Sequence, residues 1–325
     1  MMAVVARSLG APETLSLEDW PSRPPAPGEA RVRIHAAGVG FVDSLVVAGD
    51  YQLKPELPYI PGMEFAGVVI EVGEAVARLM PGMAICGGAI GGAFAEEITL
   101  PAERLIPIAA GAPMLEAAVL RASYLTAWLG LVERAAIKPG ETLLVLGAAG
   151  AVGIACCQLG RHLGATVIAS ASSPEKRALA LDHGAHHAID SHAADWRDQI
   201  KALTSGHGVD VVADPVGGDL SQAALRSLAW NGRHLVIGFA SGSIPSLPAN
   251  LALLKGAAIL GVDARQFGIH HPAAAQKARE ALGRLFDAGV LRPPIATVLP
   301  LARFAEAMRL AASGTTPGRV VLRMT

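Results

Sequence analysis

The stretch of this sequence best equipped for chemistry is TLLVLGAAGAVGIACCQLGRHLGATVIAS, residues 142–170. Its first five residues predict a buried strand ending at Leu146. Glycines follow at 147, 150 and 153, a helix is expected over 152–162, and a second apolar strand starts near Thr166. A run of mostly small residues, Gly147, Ala148, Ala149, Gly150, Ala151, Val152 and Gly153, lets the backbone turn sharply and approach a pyrophosphate. The new helix then points its first N–H groups and the positive end of its dipole at the phosphates. Gly153 lets that helix pack on the strand. The spacing is G-x-x-G-x-x-G, with Ala149 where the commoner G-x-G-x-x-G has its middle glycine. The chemistry predicted is capture of a phosphorylated dinucleotide.

The end of the second strand selects which dinucleotide. An NAD site wants Asp or Glu there to accept bonds from the ribose 2′-hydroxyl. This chain has Ser170, Ala171 and Ser172, and no carboxylate to repel a 2′-phosphate. Ser172, Ser173, Lys176 and Arg177 supply hydroxyls and cations at the start of the next helix. NADPH is therefore the expected cofactor. The alternative is that Lys176 and Arg177 are solvated helix residues.

These residues need a frame. At 325 residues the chain has room for two domains. Up to about residue 110 it reads as short strands separated by Gly and Pro, EARVRIHAAGV, EFAGVVIEVG and AFAEEITLP, which predict an antiparallel, partly closed β domain. Residues 113–135 then carry apolar side chains at helical spacing. From Thr142 strand and helix alternate: TLLVL, TVIAS, HHAI, VDVVAD, HLVIGF and AAILGV, with helices over 152–162, 174–183, 194–203 and 220–228. Apolar strands separated by helices predict a doubly wound parallel sheet, so the fold class is α/β. The tail from about Arg265 is expected to hold helices over 274–287 and 302–312, a Pro-rich segment between them, and a final strand RVVLRM returning to the β domain.

Composition narrows the function. Lys and Arg number 27 against 28 Asp and Glu, so no basic field exists for nucleic acid or an anionic membrane. No segment sustains the roughly 18 apolar residues of a membrane span. Three cysteines, Cys86, Cys156 and Cys157, are too few for a disulfide framework or a four-thiolate zinc site. A soluble, cytoplasmic protein is expected. His183, His186 and His187 cluster in sequence but fall at a helix end and the next strand, where a surface or core role is expected.

Taken in order, AAGVGFVDSLVVAGDY, PGMEFAGVVIEVG, YLTAWLGLVERAAIKPGETLLVLGAAGAVG, SPEKRALALDHGA, DPVGG, NGRHLVIGFASG and the closing GRVVL resemble the medium-chain dehydrogenase/reductase superfamily over essentially the whole length. Within it they resemble the zinc-free, zeta-crystallin-like quinone oxidoreductases. The resemblance implies a GroES-like β-rich catalytic domain, split as residues 1–117 and 263–325. It also implies a Rossmann-like domain over 118–262, with NADP(H) in the cleft between the two.

The zinc ligand positions of the wider family match Gly40 and Met63, so no metal is expected. Cys156 and Cys157 are helix neighbours that cannot face one site together. Without a Lewis acid, the expected substrate is already a good hydride acceptor, a quinone or an alkene conjugated to a carbonyl. The nicotinamide carries the hydride and the protein orients it. Tyr51 resembles the proton-donating tyrosine of related enoyl-thioester reductases, and the alternative is a packing residue with its hydroxyl in water. Thr126, Phe239, Ala240, Ser241 and Val262 resemble the residues lining the nicotinamide pocket. Phe239 and Val262 are alternatively ordinary core.

Two positions depart from the family pattern. Gly40 replaces an asparagine in a motif whose Asp43 is retained, and Ser191 replaces a tyrosine of the 2′-phosphate pocket. Arg265 reads as a surface residue or a contact for an anion. An enoyl-thioester reductase and a crystallin-like NADPH-binding protein with little turnover are the competing functions. A homodimer through the exposed AAILGV sheet edge is also expected.

Overall fold

The computed structural model describes residues 1–52 and 54–324. Its chain forms two compact units, Met1–Ala122 with Arg279–Thr325, and Ser123–Ala278. The sequence expectation placed these divisions at 117/118 and 262/263. The second falls later because the chain stays with the parallel sheet after the last strand. There the Val262 N–H bonds the Val236 carbonyl at 3.0 Å, and Asp263 caps the helix that follows.

The first unit opens with β1 (Met2–Val5), β2 (Ser16–Asp19) and β3 (Glu29–Val39), followed by helix α1 (Phe41–Ala48). Strands β4 (Glu64–Val72), β5 (Ala84–Gly87), β6 (Glu97–Pro101) and β7 (Leu105–Pro107) come next. Residues 113–135 are not one helix. They form α2 (Met114–Ala117), α3 (Arg121–Trp128) and a π-helical turn at Leu129–Arg134. Just past the break, in the first turn of α3, the Ala122 N–H donates to the Glu64 carboxylate at 2.9 Å.

The second unit holds β8 (Thr142–Leu146), α4 (Ala151–His162), β9 (Thr166–Ala171), α5 (Pro174–Asp182), β10 (His187–Asp190) and α6 (Trp196–Leu203). It continues with β11 (Val209–Asp214), α7 (Gly218–Arg226), β12 (Leu228–Val236), α8 (Ala249–Lys255), β13 (Ala258–Gly261) and α9 (Ala264–His270). Every pair in this sheet is parallel, in the order β10-β9-β8-β11-β12-β13. Counted from β8, that is 3-2-1-4-5-6, the order whose reversal creates a ligand crevice at the strands' carboxyl ends. Leu144, Leu146, Ile168, Val209 and Val212 are buried within it, matching strands that read as apolar without alternation.

Helix α10 (Pro272–Asp287) leads back to the β-rich unit, where β14 (Ile295–Pro300), α11 (Phe304–Ser313) and β15 (Arg319–Arg323) complete it. The closing strand does return. Leu322 lies opposite Ala37 in an antiparallel pair with β3. Part of the Pro-rich stretch, expected as irregular, is the edge strand β14, parallel to β15. Its prolines are tolerable because an edge strand has one unpaired side. The seven-stranded sheet closes over Phe65, Phe94, Ile85 and Leu79, all buried. Each such side chain stabilises the unit by about 1.5–3 kcal/mol relative to exposure.

Candidate active site

The glycine turn is built of backbone. Gly147 has φ +57°, and a Cβ on it would come within 2.8 Å of the Val216 side chain. A Cβ on Gly153 would lie 2.3 Å from the Gly147 carbonyl oxygen and 2.7 Å from Ala148 Cα, so only glycine lets α4 start this close to β8. The turn is pinned by Ala148 N–H to the Ser170 carbonyl at 3.1 Å and by Gly150 N–H to the Gly147 carbonyl at 2.9 Å. Ala148 and Ala149 bury their methyls, while Gly150 is exposed. Gly150 is the N-cap of α4, and no side chain caps the helix, with Ala151, Val152 and Gly153 forming its first turn. A turn that a Cβ would fill, ahead of an uncapped helix of twelve residues, fits the pyrophosphate of a dinucleotide.

At the end of β9 the serines divide their work. Ser170 is fully buried and accepts from the Trp196 indole N–H at 2.9 Å. Ser172 is exposed. Ser173 caps α5, accepting from the Lys176 N–H at 3.3 Å. Arg177 reaches back to the Ala171 carbonyl at 3.1 Å and to Asp190 at 3.0 Å. Ser191, on the chain beyond β10, donates its N–H to the same Ala171 carbonyl at 3.2 Å.

A third turn, after β11, is organised by a buried carboxylate that the sequence reading passed over. One Asp214 oxygen accepts from the Val216 and Gly217 N–H groups, both at 2.9 Å. The other accepts from the Ser221 hydroxyl and from His234 Nε2, the latter at 3.0 Å. Burial pushes the Asp214 carboxyl up, but the bonds from His234, Ser221 and Gly217 outweigh it and hold its pKa below the usual value. A histidine in the apolar strand HLVIGF was the available signal, and its partner was not readable from spacing. The turn is tied to the segment after β12 by Ala240 N–H to the Pro215 carbonyl at 3.1 Å and Ser241 N–H to the Val216 carbonyl at 2.9 Å.

The residues expected around a nicotinamide are thus placed as follows. Phe239, Ala240 and Ser241 are exposed beyond β12, with Phe239 41% accessible. Val262 is buried and faces Gly130 of the π turn. Thr126 is half-buried on α3, two residues after Tyr124, which makes a buried bond to Gln158 at 2.8 Å.

In the β-rich unit, Tyr51 is half-buried just past the end of α1, its N–H bonded to the Leu45 carbonyl at 3.2 Å. Asp43 lies in the first turn of α1 and accepts from the Gly40 N–H at 2.8 Å. Its other oxygen is buried without a partner. Burial, opposed by the Gly40 N–H and reinforced by Glu64, raises its pKa to about 7. Glu64 accepts from Arg319 at 2.5 Å, and both are buried. Gly40 and Met63 offer neither imidazole nor thiolate, and Cys86, Cys156 and Cys157 are buried thiols. Among the described residues no group of three or more His, Cys, Asp or Glu could hold a metal ion, so these residues do not fit a catalytic zinc. No helix among them is long and apolar enough to cross a membrane.

A GroES-like β unit joined to a Rossmann-like sheet with a glycine turn defines a dehydrogenase/reductase of the medium-chain type. Comparison with known proteins agrees. Residues 26–110 match the alcohol dehydrogenase GroES-like domain and residues 151–282 the zinc-binding dehydrogenase domain. Quinone oxidoreductase-like protein 2 of Rattus norvegicus is 37% identical over 323 residues, covering 99% of this chain and 92% of that protein. Among solved structures, an NAD-dependent alcohol dehydrogenase is similar at 30% identity and TM-score 0.92, covering 100% of both chains. Escherichia coli quinone oxidoreductase complexed with NADPH is similar at 27% identity and TM-score 0.89, covering 99% of this chain and 100% of that one. The CurK enoyl reductase is similar at 26% identity and TM-score 0.89, covering 100% and 99%. The chain belongs to the medium-chain dehydrogenase/reductase superfamily, as an oxidoreductase with quinone oxidoreductase-like relatives.

Proposed function

We propose that this chain is an NADPH-dependent oxidoreductase that passes a hydride to a quinone or an α,β-unsaturated carbonyl without a metal. The observation that carries the reading is the uncapped start of α4 behind a turn with no room for a Cβ at Gly147 or Gly153. NADPH is supported by Ser172 and Lys176 beyond the end of β9 and by the NADPH complex of a similar quinone oxidoreductase. Independence from zinc is supported by Gly40 and Met63. Three buried, unpaired cysteines fit a reducing cytoplasm.

When bound, the reduced nicotinamide supplies a hydride to the electron-poor carbon of the acceptor. The chain's own residues bind and orient. The turn from Gly147 to Gly153 holds the pyrophosphate on the N–H groups left open at the start of α4, and Thr126, Phe239, Ala240, Ser241 and Val262 position the ring. Tyr51 donates its phenolic proton to the anion left on the acceptor and regains one from water. Reduction of an enoyl thioester is the second reading, favoured by the likeness to CurK.

The test is NADPH oxidation by the chelator-treated protein against quinones, enones, enoyl thioesters and simple ketones. Turnover of quinones or enones is expected. Preference for a simple ketone, dependence on added zinc, or NADPH binding without turnover of any acceptor overturns the proposal; preference for enoyl thioesters selects the second reading.

We also propose a homodimer through β13. Among the described residues that strand pairs only β12 within the sheet, and Trp230 of β12 and Leu253 and Leu254 of α8 are 67%, 80% and 68% exposed. Sedimentation should give twice the chain mass, falling to one in Ile259→Lys; a monomeric parent would refute it.

A further inference from the structure

We propose that Asp190 sets the coenzyme preference of this chain, by holding the Arg177 guanidinium in an ion pair so that a 2′-phosphate meets an arginine already largely neutralised. The inference rests on the nicotinamide-coenzyme reading above and deepens it.

β9 and β10 run parallel with Asp190 directly beside Ala171. A carboxylate absent from the tip of β9 in the sequence is therefore supplied by the neighbouring strand. The carboxyl end of β9 is where a doubly wound sheet places the adenosine ribose. Arg177, one turn into α5, is tied to this spot by one nitrogen, Nη1, which meets both the Ala171 carbonyl at 3.1 Å and Asp190 Oδ2 at 3.0 Å. The other Asp190 oxygen accepts from the His192 N–H at 2.9 Å, so the carboxylate is fixed at both ends. That N–H, opposed by burial and joined by the Arg177 charge, holds Asp190 below the usual carboxylate range.

Local charge then decides the outcome. Glu175 and Asp190 balance Lys176 and Arg177. Ser173 is occupied, accepting from the Lys176 N–H and donating to Glu175, whose pKa it lowers. A 2′-phosphate entering here meets two cations and two anions, whereas a 2′-hydroxyl is indifferent to that balance. The Arg177 and Asp190 side chains are 22% and 40% exposed, so the pair is reachable and its field is partly screened. Neutralising Asp190 leaves Arg177 anchored on the Ala171 carbonyl with its charge uncompensated.

The experiment measures equilibrium binding of NADPH, NADH, 2′,5′-ADP and 5′-AMP to the full-length protein, without substrate. Asp190→Asn is nearly isosteric and keeps a side-chain oxygen for the His192 N–H, so the strand end should stay folded, as checked by an unchanged melting temperature. It is expected to tighten NADPH and 2′,5′-ADP about tenfold, with NADH and 5′-AMP changed less than twofold. Arg177→Gln should weaken the phosphorylated pair, and adding Asp190→Asn to it should restore only the small part due to direct repulsion, well short of tenfold. The inference is overturned if Asp190→Asn leaves the phosphate preference unchanged, tightens both coenzymes alike, or acts equally well without Arg177. If the parent binds neither coenzyme, the nicotinamide reading fails and this inference with it; if both bind and only the variants disappoint, that reading stands.

Discussion

The nucleotide turn of the parallel-sheet unit and the charged centre of the β-rich unit keep polar groups inside the protein by opposite means. The turn uses main chain. Its donors are held by glycines at 147 and 153. The β-rich unit instead buries ionisable side chains. Glu64 meets Arg319 and one helix N–H, while Asp43 keeps an oxygen with no partner and a pKa of about 7. A backbone site depends on steric room and is insensitive to pH. A side-chain site depends on charge, and removing one partner leaves the other stranded in low dielectric.

That contrast can be broken experimentally. The largest effect belongs to Arg319→Met, which strands the buried Glu64 carboxylate and should cost about 3–5 kcal/mol in denaturant unfolding; a cost under about 1 kcal/mol would mean the pair contributes little. Next comes Asp43. Its folded pKa of about 7 stands above its ordinary 3.8, so the folded state holds a proton that the unfolded state releases. Stability should therefore be greatest below about pH 4 as far as this group is concerned, and fall as pH rises through 7. Three pKa units correspond to a contribution on the order of 4 kcal/mol. Asp43→Asn should flatten that part of the stability–pH curve, and an unchanged slope would remove Asp43 as its source. The smallest effect on stability is expected from Gly153→Ala, whose Cβ would press on the Gly147 carbonyl. It should cost about 1–3 kcal/mol, equally at pH 5 and pH 8, and abolish measurable coenzyme binding. Retained affinity would contradict a backbone-built phosphate site.

Much of the parallel-sheet unit was legible because its signals are local. The glycine spacing, the apolar strand before it and the helix after it lie within thirty residues of one another. Elsewhere, neighbours distant in sequence intervened. Residues 113–135 carry apolar side chains at helical spacing, yet the run divides into α2, α3 and a π turn, and the Ala122 N–H in α3 donates to Glu64, 58 positions away. HLVIGF was expected as the strand of residues 234–239, whereas β12 spans Leu228–Val236 and carries Asn231 at φ +60° within it. Pairing with β11 and β13 carries the strand through Asn231 and Gly232. The prolines around Ile295 hid an edge strand that β15 pairs on one side.

By itself the sequence determined the two-unit plan, the parallel sheet and the glycine turn proposed to hold phosphates, because these follow from periodicity and from the one residue type that tolerates φ > 0 and close backbone approach. Only the tertiary structure decided which charges meet. Arg177 finds Asp190 through strand register, Asp214 finds His234 across a strand pair, and Glu64 finds Arg319 at a separation of 255 residues. Coulomb energies depend on distance and burial, and neither is written in the order of the residues.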